Sequence, residues 1–324
     1  MFYLFHPPFL PTPFFGIFWA MEPTSTNFRA GYVALIGEPN VGKSTLLNTL
    51  LKQKISIVTN KPQTTRHKIL GIHNGNNYQI VFLDTPGIIK PKYLLQEVMM
   101  HFASQAVEDA DVVMLLVDAE KVKSGSYDKN NEAVEKIKAA NKTTFLIVNK
   151  IDLLKKEEIL PLLADLQSLF PFDEIIPLSA LTKFNTNELL TTLVKYLPEN
   201  PPYYDTEIVS DAQERFFVSE MIREKIFELY EQEIPYSTTV DIIEFKEREL
   251  GKHYISADIV IERNSQKGIL IGKEGKALKR LGTLSRKSIE EFLGHTVYLE
   301  LHVKVRSDWR EDKNWLDRFG YKEE

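Results

Sequence analysis

Gly37-Glu38-Pro39-Asn40-Val41-Gly42-Lys43-Ser44-Thr45 decides the fold of this 324-residue chain. The stretch fits G-x-x-x-x-G-K-[ST]. It stands between an apolar run, Tyr32-Val33-Ala34-Leu35-Ile36, and a stretch with helical spacing, Thr45-Leu46-Leu47-Asn48-Thr49-Leu50-Leu51. Strand, glycine-bearing loop and helix in that order make a phosphate cradle. The two glycines permit backbone shapes that turn successive N–H groups onto phosphate oxygens, and the helix start adds its positive dipole end. Lys43 is placed to neutralise the β- and γ-phosphates, and the Ser44 hydroxyl to take a coordination position on Mg²⁺. The loop alone specifies a nucleoside triphosphate and leaves the base open.

Moving outward, short apolar runs alternate with amphipathic ones from Gly31 to about Pro198. Strands are expected at Tyr32–Ile36, Lys68–His73, Tyr78–Leu83, Val112–Val117, Thr144–Val148 and Ile175–Pro177. Helices are expected near Lys43–Gln53, Leu94–Glu108, Asp128–Ala140, Lys155–Phe170 and Asn187–Leu197. This alternation implies βαβ units and a mainly parallel sheet, with strands such as Val112–Val117 buried on both faces. Asn74-Gly75-Asn76-Asn77 is a hairpin signal that makes one edge strand antiparallel.

Past the prolines of Leu197–Tyr204 the pattern changes. A helix is expected over Gln213–Glu231, stopped by Pro235. Alternating strands follow at Thr239–Lys246, Tyr254–Glu262 and Val297–Val305, with helix around a glycine turn over Gly268–Gly294 between the last two. The order α-β-β-α-α-β marks a second, small domain.

Length supports two domains, each able to bury its own core. The formal net charge is −5 and the chain has no cysteine, which excludes disulfides, cysteine-ligated zinc and cysteine nucleophiles. A reducing, cytoplasmic setting is compatible with that composition. Charge is uneven: from Arg263 to Arg310 there are 11 Lys and Arg against 5 Asp and Glu, a local excess of +6. Residues 1–20 are rich in Phe and Pro, lack a basic leader and hold no uninterrupted apolar run of bilayer length. Residues 1–28 are therefore expected to be an extension outside the fold, either disordered or the result of a start placed too early.

Three further motifs sort with the cradle. Asp84-Thr85-Pro86-Gly87 ends the third strand, where the aspartate can hold Mg²⁺ through water and the Gly87 N–H can meet the γ-phosphate. Asn149-Lys150-Ile151-Asp152 follows the fifth strand. The Asp152 carboxylate can accept both donors of a guanine edge, a pair that adenine lacks. Lys150 can cover the base, Asn149 can tie loops together, and Ser179-Ala180-Leu181 can supply a backbone N–H to the guanine oxygen. These choose GTP over ATP. In the polar loop Thr59–His67, Thr65 is the expected γ-phosphate-dependent Mg²⁺ ligand, with Thr64 its competitor. In the second domain, Gly272-Lys273-Glu274-Gly275 is a G-x-x-G turn that lets a nucleic-acid backbone approach closely, and the surrounding cations suit phosphate contact. The histidines are too scattered for a metal set. Trp309, Phe216 and Phe217 read as core.

GEPNVGKST, QTTRHKILGI, DTPG, NKID, SAL, ERFFVSEMIREKIF and GILIGKEGKALKRLG together resemble the Era family of bacterial GTPases, over about Arg29 to Trp309. The resemblance implies an α/β P-loop GTPase domain with a mostly parallel six-stranded sheet (29–198). A linker (199–211), a small α+β type II KH domain (212–310) and a tail (311–324) follow. It implies nucleotide contacts at Gly37 to Thr45, Asp84 to Ile88, Asn149 to Asp152, Ser179 and Ala180. RNA contacts would fall on Ile271, Gly272, Lys273, Glu274, Gly275, Lys276, Lys279 and Arg280. Catalysis would rest on Lys43, Thr65, Asp84 and Gly87, with Ser44, Thr65 and Asp84 as the metal set.

The family function implied is GTP hydrolysis by a protein that binds the 3′ region of small-subunit ribosomal RNA and assists assembly of the small ribosomal subunit; a monomer is expected. A peripheral contact with the inner face of the membrane is also implied. The rival reading is a membrane-associated signalling GTPase whose basic domain meets anionic headgroups. Two departures stand out. Glu38 occupies a position that is usually basic, and Ile88 follows Gly87 where many signalling GTPases place a glutamine. An isoleucine cannot orient water, so turnover is expected to be slow and to need something supplied elsewhere; a potassium ion near Asn40 is a candidate.

Overall fold

The computed structural model describes residues 28–128 and 131–322. The expectations for the N-terminal extension and for the first turn of the helix beginning at Asp128 lie largely outside the described residues. The first unit runs β1 (Arg29–Ile36), α1 (Lys43–Leu51), β2 (Ile69–Gly75), β3 (Tyr78–Asp84), α2 (Leu94–Asp109) and β4 (Val112–Asp118). It continues through α3 (Ala119–Lys123), α4 (Glu132–Ala140), β5 (Thr143–Asn149), α5 (Lys156–Gln167), β6 (Glu174–Pro177) and α6 (Thr186–Tyr196). Its strands make one six-stranded sheet in the order β2-β3-β1-β4-β5-β6. Every neighbour is parallel except β2 and β3, which pair antiparallel from Ile69↔Asp84 to Gly75↔Tyr78.

Strand alternation fills both faces. Val33 and Leu35 of β1, with Val112, Met114 and Leu116 of β4, pack with Leu46, Leu47 and Leu50 of α1. Ala34 and Ile36, with Val113, Leu115 and Val117, pack on the other face with Met99 and Ala103 of α2 and Ile137 of α4. All seven residues of β4 are buried, as a central parallel strand covered by helices on both sides requires. The P-loop leaves the carboxyl end of β1, so the site forms at the edge where parallel strands all end.

The second unit runs α7 (Glu214–Leu229), β7 (Thr239–Lys246), β8 (His253–Ile261), α8 (Asn264–Ile271), α9 (Lys276–Leu293) and β9 (Val297–Val305), followed by α10 (Lys313–Arg318). Its three-stranded sheet has the order β7-β8-β9, with β7 and β8 antiparallel and β8 and β9 parallel. Ile255, Ala257, Ile259 and Ile261 of β8 face α7 and α9 in one continuous core.

The stretch joining the units is pinned to the first sheet. The buried Gln79 side chain accepts from the backbone N–H groups of Tyr203 and Tyr204 at 2.7 and 3.0 Å and donates to the Tyr204 carbonyl at 2.9 Å. Two helices exceed the sequence expectation, α3 and α10, at five and six residues too short to declare a period. Conversely α1 stops at Leu51 rather than Gln53, because Lys52 takes a left-handed conformation at φ 56°.

Candidate nucleotide site and nucleic-acid groove

The loop after β1 wraps a cavity of about 540 Å³ lined by Pro39, Asn40, Gly42, Lys43, Ser44, Thr45, Thr65, Gly87, Asn149, Lys150, Asp152, Ser179 and Ala180. Four distant motifs therefore meet at one place. The buried Asp84 and Thr85, with Val41, Ile88 and Ile151, sit behind that lining and shape it.

Gly42 has φ 97°, and a side chain there would meet the Asn149 amide nitrogen at 2.3 Å. That amide donates to the Val41 carbonyl at 2.8 Å, while its oxygen accepts from Ala180 N–H at 3.0 Å. One asparagine thus ties the phosphate loop to both base-side loops. Of the Ser179–Leu181 N–H groups expected to offer one to a guanine oxygen, that of Ala180 is engaged by Asn149 in this structure. Asp152 is exposed on the cavity wall, and Lys150 donates to Asp118 Oδ2 at 2.6 Å.

Lys43 is buried, with Nζ donating to the carbonyls of Gly37 and Glu38 at 3.1 and 3.0 Å. Burial lowers its ammonium to about 8, against the opposing pull of Asp84 and Glu38. Glu38 turns its carboxylate to Lys121 at 3.1 Å, so the unusual acid is neutralised by α3. Asp118 and Lys121 both line the cavity and were missed in the sequence. The available signal was their place at the carboxyl end of β4, where open α/β sheets bind ligands.

Metal-binding character appears beside the cradle. Ser44 Oγ donates to Asp84 Oδ2 at 2.7 Å and lies 2.9 Å from Thr65 Oγ1, and Ser56 Oγ reaches the same Asp84 oxygen at 2.8 Å. Asp84 Oδ1 is buried with no partner among the described residues. Burial raises the Asp84 carboxyl, partly countered by the Ser44 hydrogen bond and the Lys43 charge. An orphaned carboxylate oxygen beside two hydroxyls is a hard-oxygen set that Mg²⁺ fits. The Ile88 N–H donates to the Gly37 carbonyl at 3.0 Å, and its apolar side chain is buried.

In the second unit the G-x-x-G turn links α8 to α9. Gly272 (φ 70°) and Gly275 (φ 73°) both use left-side backbone, and a side chain at Gly272 would meet the Ala277 Cβ at 2.6 Å. Lys273, Glu274, Lys276, Lys279 and Arg280 are exposed, with Glu274 paired to Lys276 at 2.8 Å. Beside the turn lies a groove of about 420 Å³ between α9 and β9, lined by Gly275, Leu278, Lys279, Gly282, Thr283, Arg286, Leu299 and Leu301. Apolar floor and cationic rim are what a single strand of nucleic acid needs.

Residues 32–150 match the family described as 50S ribosome-binding GTPase, and residues 233–310 match the KH domain family. GTPase Era of Geotalea daltonii is 45% identical over 298 residues, covering 92% of this chain and 99% of that protein. GTPase Era of Syntrophus aciditrophicus is likewise 45% identical over 300 residues, covering 92% and 97%. The chain belongs to the Era family of GTPases. Two solved Era structures share the architecture at 41% identity over 91% of this chain and 99% of theirs. An Aquifex aeolicus Era variant bound to GDP·AlF₄⁻ matches with a TM-score of 0.86. An Era complex with MgGDPNP and nucleotides 1506–1542 of 16S ribosomal RNA matches with a TM-score of 0.87. Among the described residues no helix is long and apolar enough to cross a membrane.

Proposed function

We propose that this chain binds GTP with Mg²⁺, hydrolyses it slowly, and uses its KH domain to hold the 3′ region of small-subunit ribosomal RNA during assembly of the small subunit. The observation that carries the reading is the likeness, across both domains, to an Era structure holding MgGDPNP and the 16S fragment together. The α9–β9 groove beside the G-x-x-G turn supports the RNA half, and the convergence of Gly37–Thr45, Asp84–Ile88, Asn149–Asp152 and Ser179–Ala180 on one cavity supports the GTP half. The working form is a cytoplasmic monomer, with peripheral membrane contact through the basic second domain as a secondary association.

Mg²⁺ held by Ser44, Thr65 and Asp84 would neutralise charge on the β- and γ-phosphates. Lys43 and the loop N–H groups bind and orient the same phosphates and stabilise the charge that develops during in-line attack by water. Asp152 selects guanine by accepting its paired donors. Ile88 orients nothing, so water must be placed by another group. Asn40, whose amide donates to the Asn60 carbonyl at 3.0 Å, bridges the phosphate loop and the Thr65 loop, where a potassium ion would complete the positive ring. Turnover is therefore expected to be several-fold faster in potassium than in sodium buffer; equal rates would remove the ion from the reading.

The RNA half is tested by replacing Gly272 and Gly275 together with Asp. Affinity for a 16S 3′-terminal oligonucleotide should fall at least about tenfold while GTP hydrolysis persists, because added carboxylates meet phosphate at a turn whose backbone must approach it. Unchanged RNA affinity would refute the KH-groove assignment.

A further inference from the structure

The loop between α1 and β2, which carries Thr65, is held from the other domain. Arg223 of α7 donates through Nη2 to the Thr64 carbonyl. Arg66 donates through Nη1 to the Thr238 carbonyl at 2.8 Å and through Nη2 to the carbonyls of Pro235 and Tyr236, both at 3.0 Å. Both flanks of Thr65 are therefore tied to the RNA-binding unit. Further back, Lys61 Nζ donates to the Phe227 and Tyr230 carbonyls at the end of α7, and the Val58 N–H donates to Glu224 Oε1 at 3.1 Å.

The core of this seam, around the two arginines, is dry. Arg66, Arg223, Glu220 and Glu224 are all buried, and the two guanidiniums lie 5.9 and 5.4 Å from the ring centre of Phe227. Arg223 is aimed by Glu220, whose carboxylate it meets through Nε at 2.8 Å and Nη2 at 2.5 Å. Its Nη1 has no partner among the described residues. An apolar interface would serve stability as well, since buried ion pairs repay their desolvation poorly. What this arrangement supplies instead is direction, because a planar guanidinium fixes the carbonyl it meets.

We infer that Arg223 and Glu220 are positioning residues for the GTPase reaction: by fixing the Thr64 carbonyl they hold the Thr65 hydroxyl against Ser44. The inference rests on the GTPase reading above and deepens it. Thr65 addresses only the triphosphate state, so its placement affects GTP and leaves GDP untouched. With Thr65 Oγ1 already 2.9 Å from Ser44 Oγ, the loop is preorganised for GTP by the domain that binds RNA. Loosening α7 lowers the fraction of molecules with Thr65 in place, and the apparent GTP affinity falls by that fraction.

The test uses the full chain with fluorescent GDP and a fluorescent non-hydrolysable GTP analogue in Mg²⁺. Arg223→Met and Glu220→Gln should weaken the GTP analogue by about tenfold and leave GDP within about twofold. Arg223→Lys, which keeps a donor for the Thr64 carbonyl, should recover part of the loss. Lys61→Met, at a half-buried residue outside the cavity, should shift the same ratio in the same direction. That variant carries the test if the Arg223 variants do not fold, as read from their melting curves. Equal weakening of both nucleotides, or an unchanged ratio in the folded variants, would overturn the inference. Failure of the unaltered chain to bind either guanine nucleotide would instead remove the GTPase reading beneath it.

Discussion

At the residue scale, Lys43 shows how burial converts a simple charge into a conditional one. Its ordinary ammonium titrates well above neutrality, but in the cradle burial strips it of most of its hydration and lowers it to about 8. Phosphate prefers the charged form, so nucleotide binding takes up a proton wherever the empty site has lost it. GDP affinity is therefore expected to hold up to about pH 8 and to fall as pH rises beyond, measured by titration between pH 7 and 9. Lys43→Met should bind weakly with little slope over that window. The same lysine in an unfolded chain titrates higher, so between the two values stability itself rises with pH, which separates a loss of binding from a loss of fold.

At the scale of one element, the loop from Lys52 to Lys68 has almost no structure of its own and gains its order from neighbours. His67 stacks on Tyr321 with ring centres 4.3 Å apart and meets Phe216 edge-on at 5.3 Å. Burial lowers its imidazole to about 4, with Arg223 and Arg66 pushing the same way and Glu220 opposing. The unfolded chain thus binds a proton that the folded chain refuses. The histidine's contribution is intact above about pH 6.5 and is lost as pH falls from there toward 4. His67→Phe keeps the stack and removes the proton. The drop in melting temperature between pH 7 and pH 5 should be smaller in this variant than in the unaltered chain. An equal drop would place the acid sensitivity elsewhere.

At the scale of the whole molecule, the segment after β9 acts as a fastener between the two units. Trp309 is fully buried, its indole N–H donates to the Ser237 carbonyl at 2.9 Å, and Tyr321 is also buried. Both belong to the core beneath α2, together with Val260 of β8. Arg310 pairs with Glu262 at 2.5 Å and lies 4.6 Å from the Tyr93 ring centre, while Leu95 N–H donates to the Arg310 carbonyl at 3.0 Å. Trp309→Ala is expected to cost about 3–5 kcal/mol, as large aromatic deletions do in cores, and to loosen one domain from the other. Denaturant unfolding would check both, through a lower midpoint and a transition that broadens or splits.

Much of this was legible in the order of residues. Continuous apolar runs marked the central strands, period-two alternation the strands of the second unit and period-3.6 spacing the long helices, since each element must bury one face or both. The glycine-bearing loops, Gly37–Ser44 and Gly272–Gly275, were legible because their backbone path is set by a few contiguous residues. What the sequence could not carry were pairings set by packing between distant segments. Glu38 looked like an anomaly until α3 placed Lys121 against it. Asp118, just past the expected strand Val112–Val117, had no role until Lys150 reached it. Arg66, Arg223 and Glu220 lay inside two of the motifs that carry the family resemblance without any role of their own, and the tail from residue 311 was given none. Their roles arise because two domains share one water-excluded interface, where a guanidinium must find carbonyls and carboxylates from whatever chain lies opposite. Local sequence determined the elements and the glycine-bearing loops, whose backbone path is short; only tertiary structure decided that the loop bearing Thr65 is held by the KH domain.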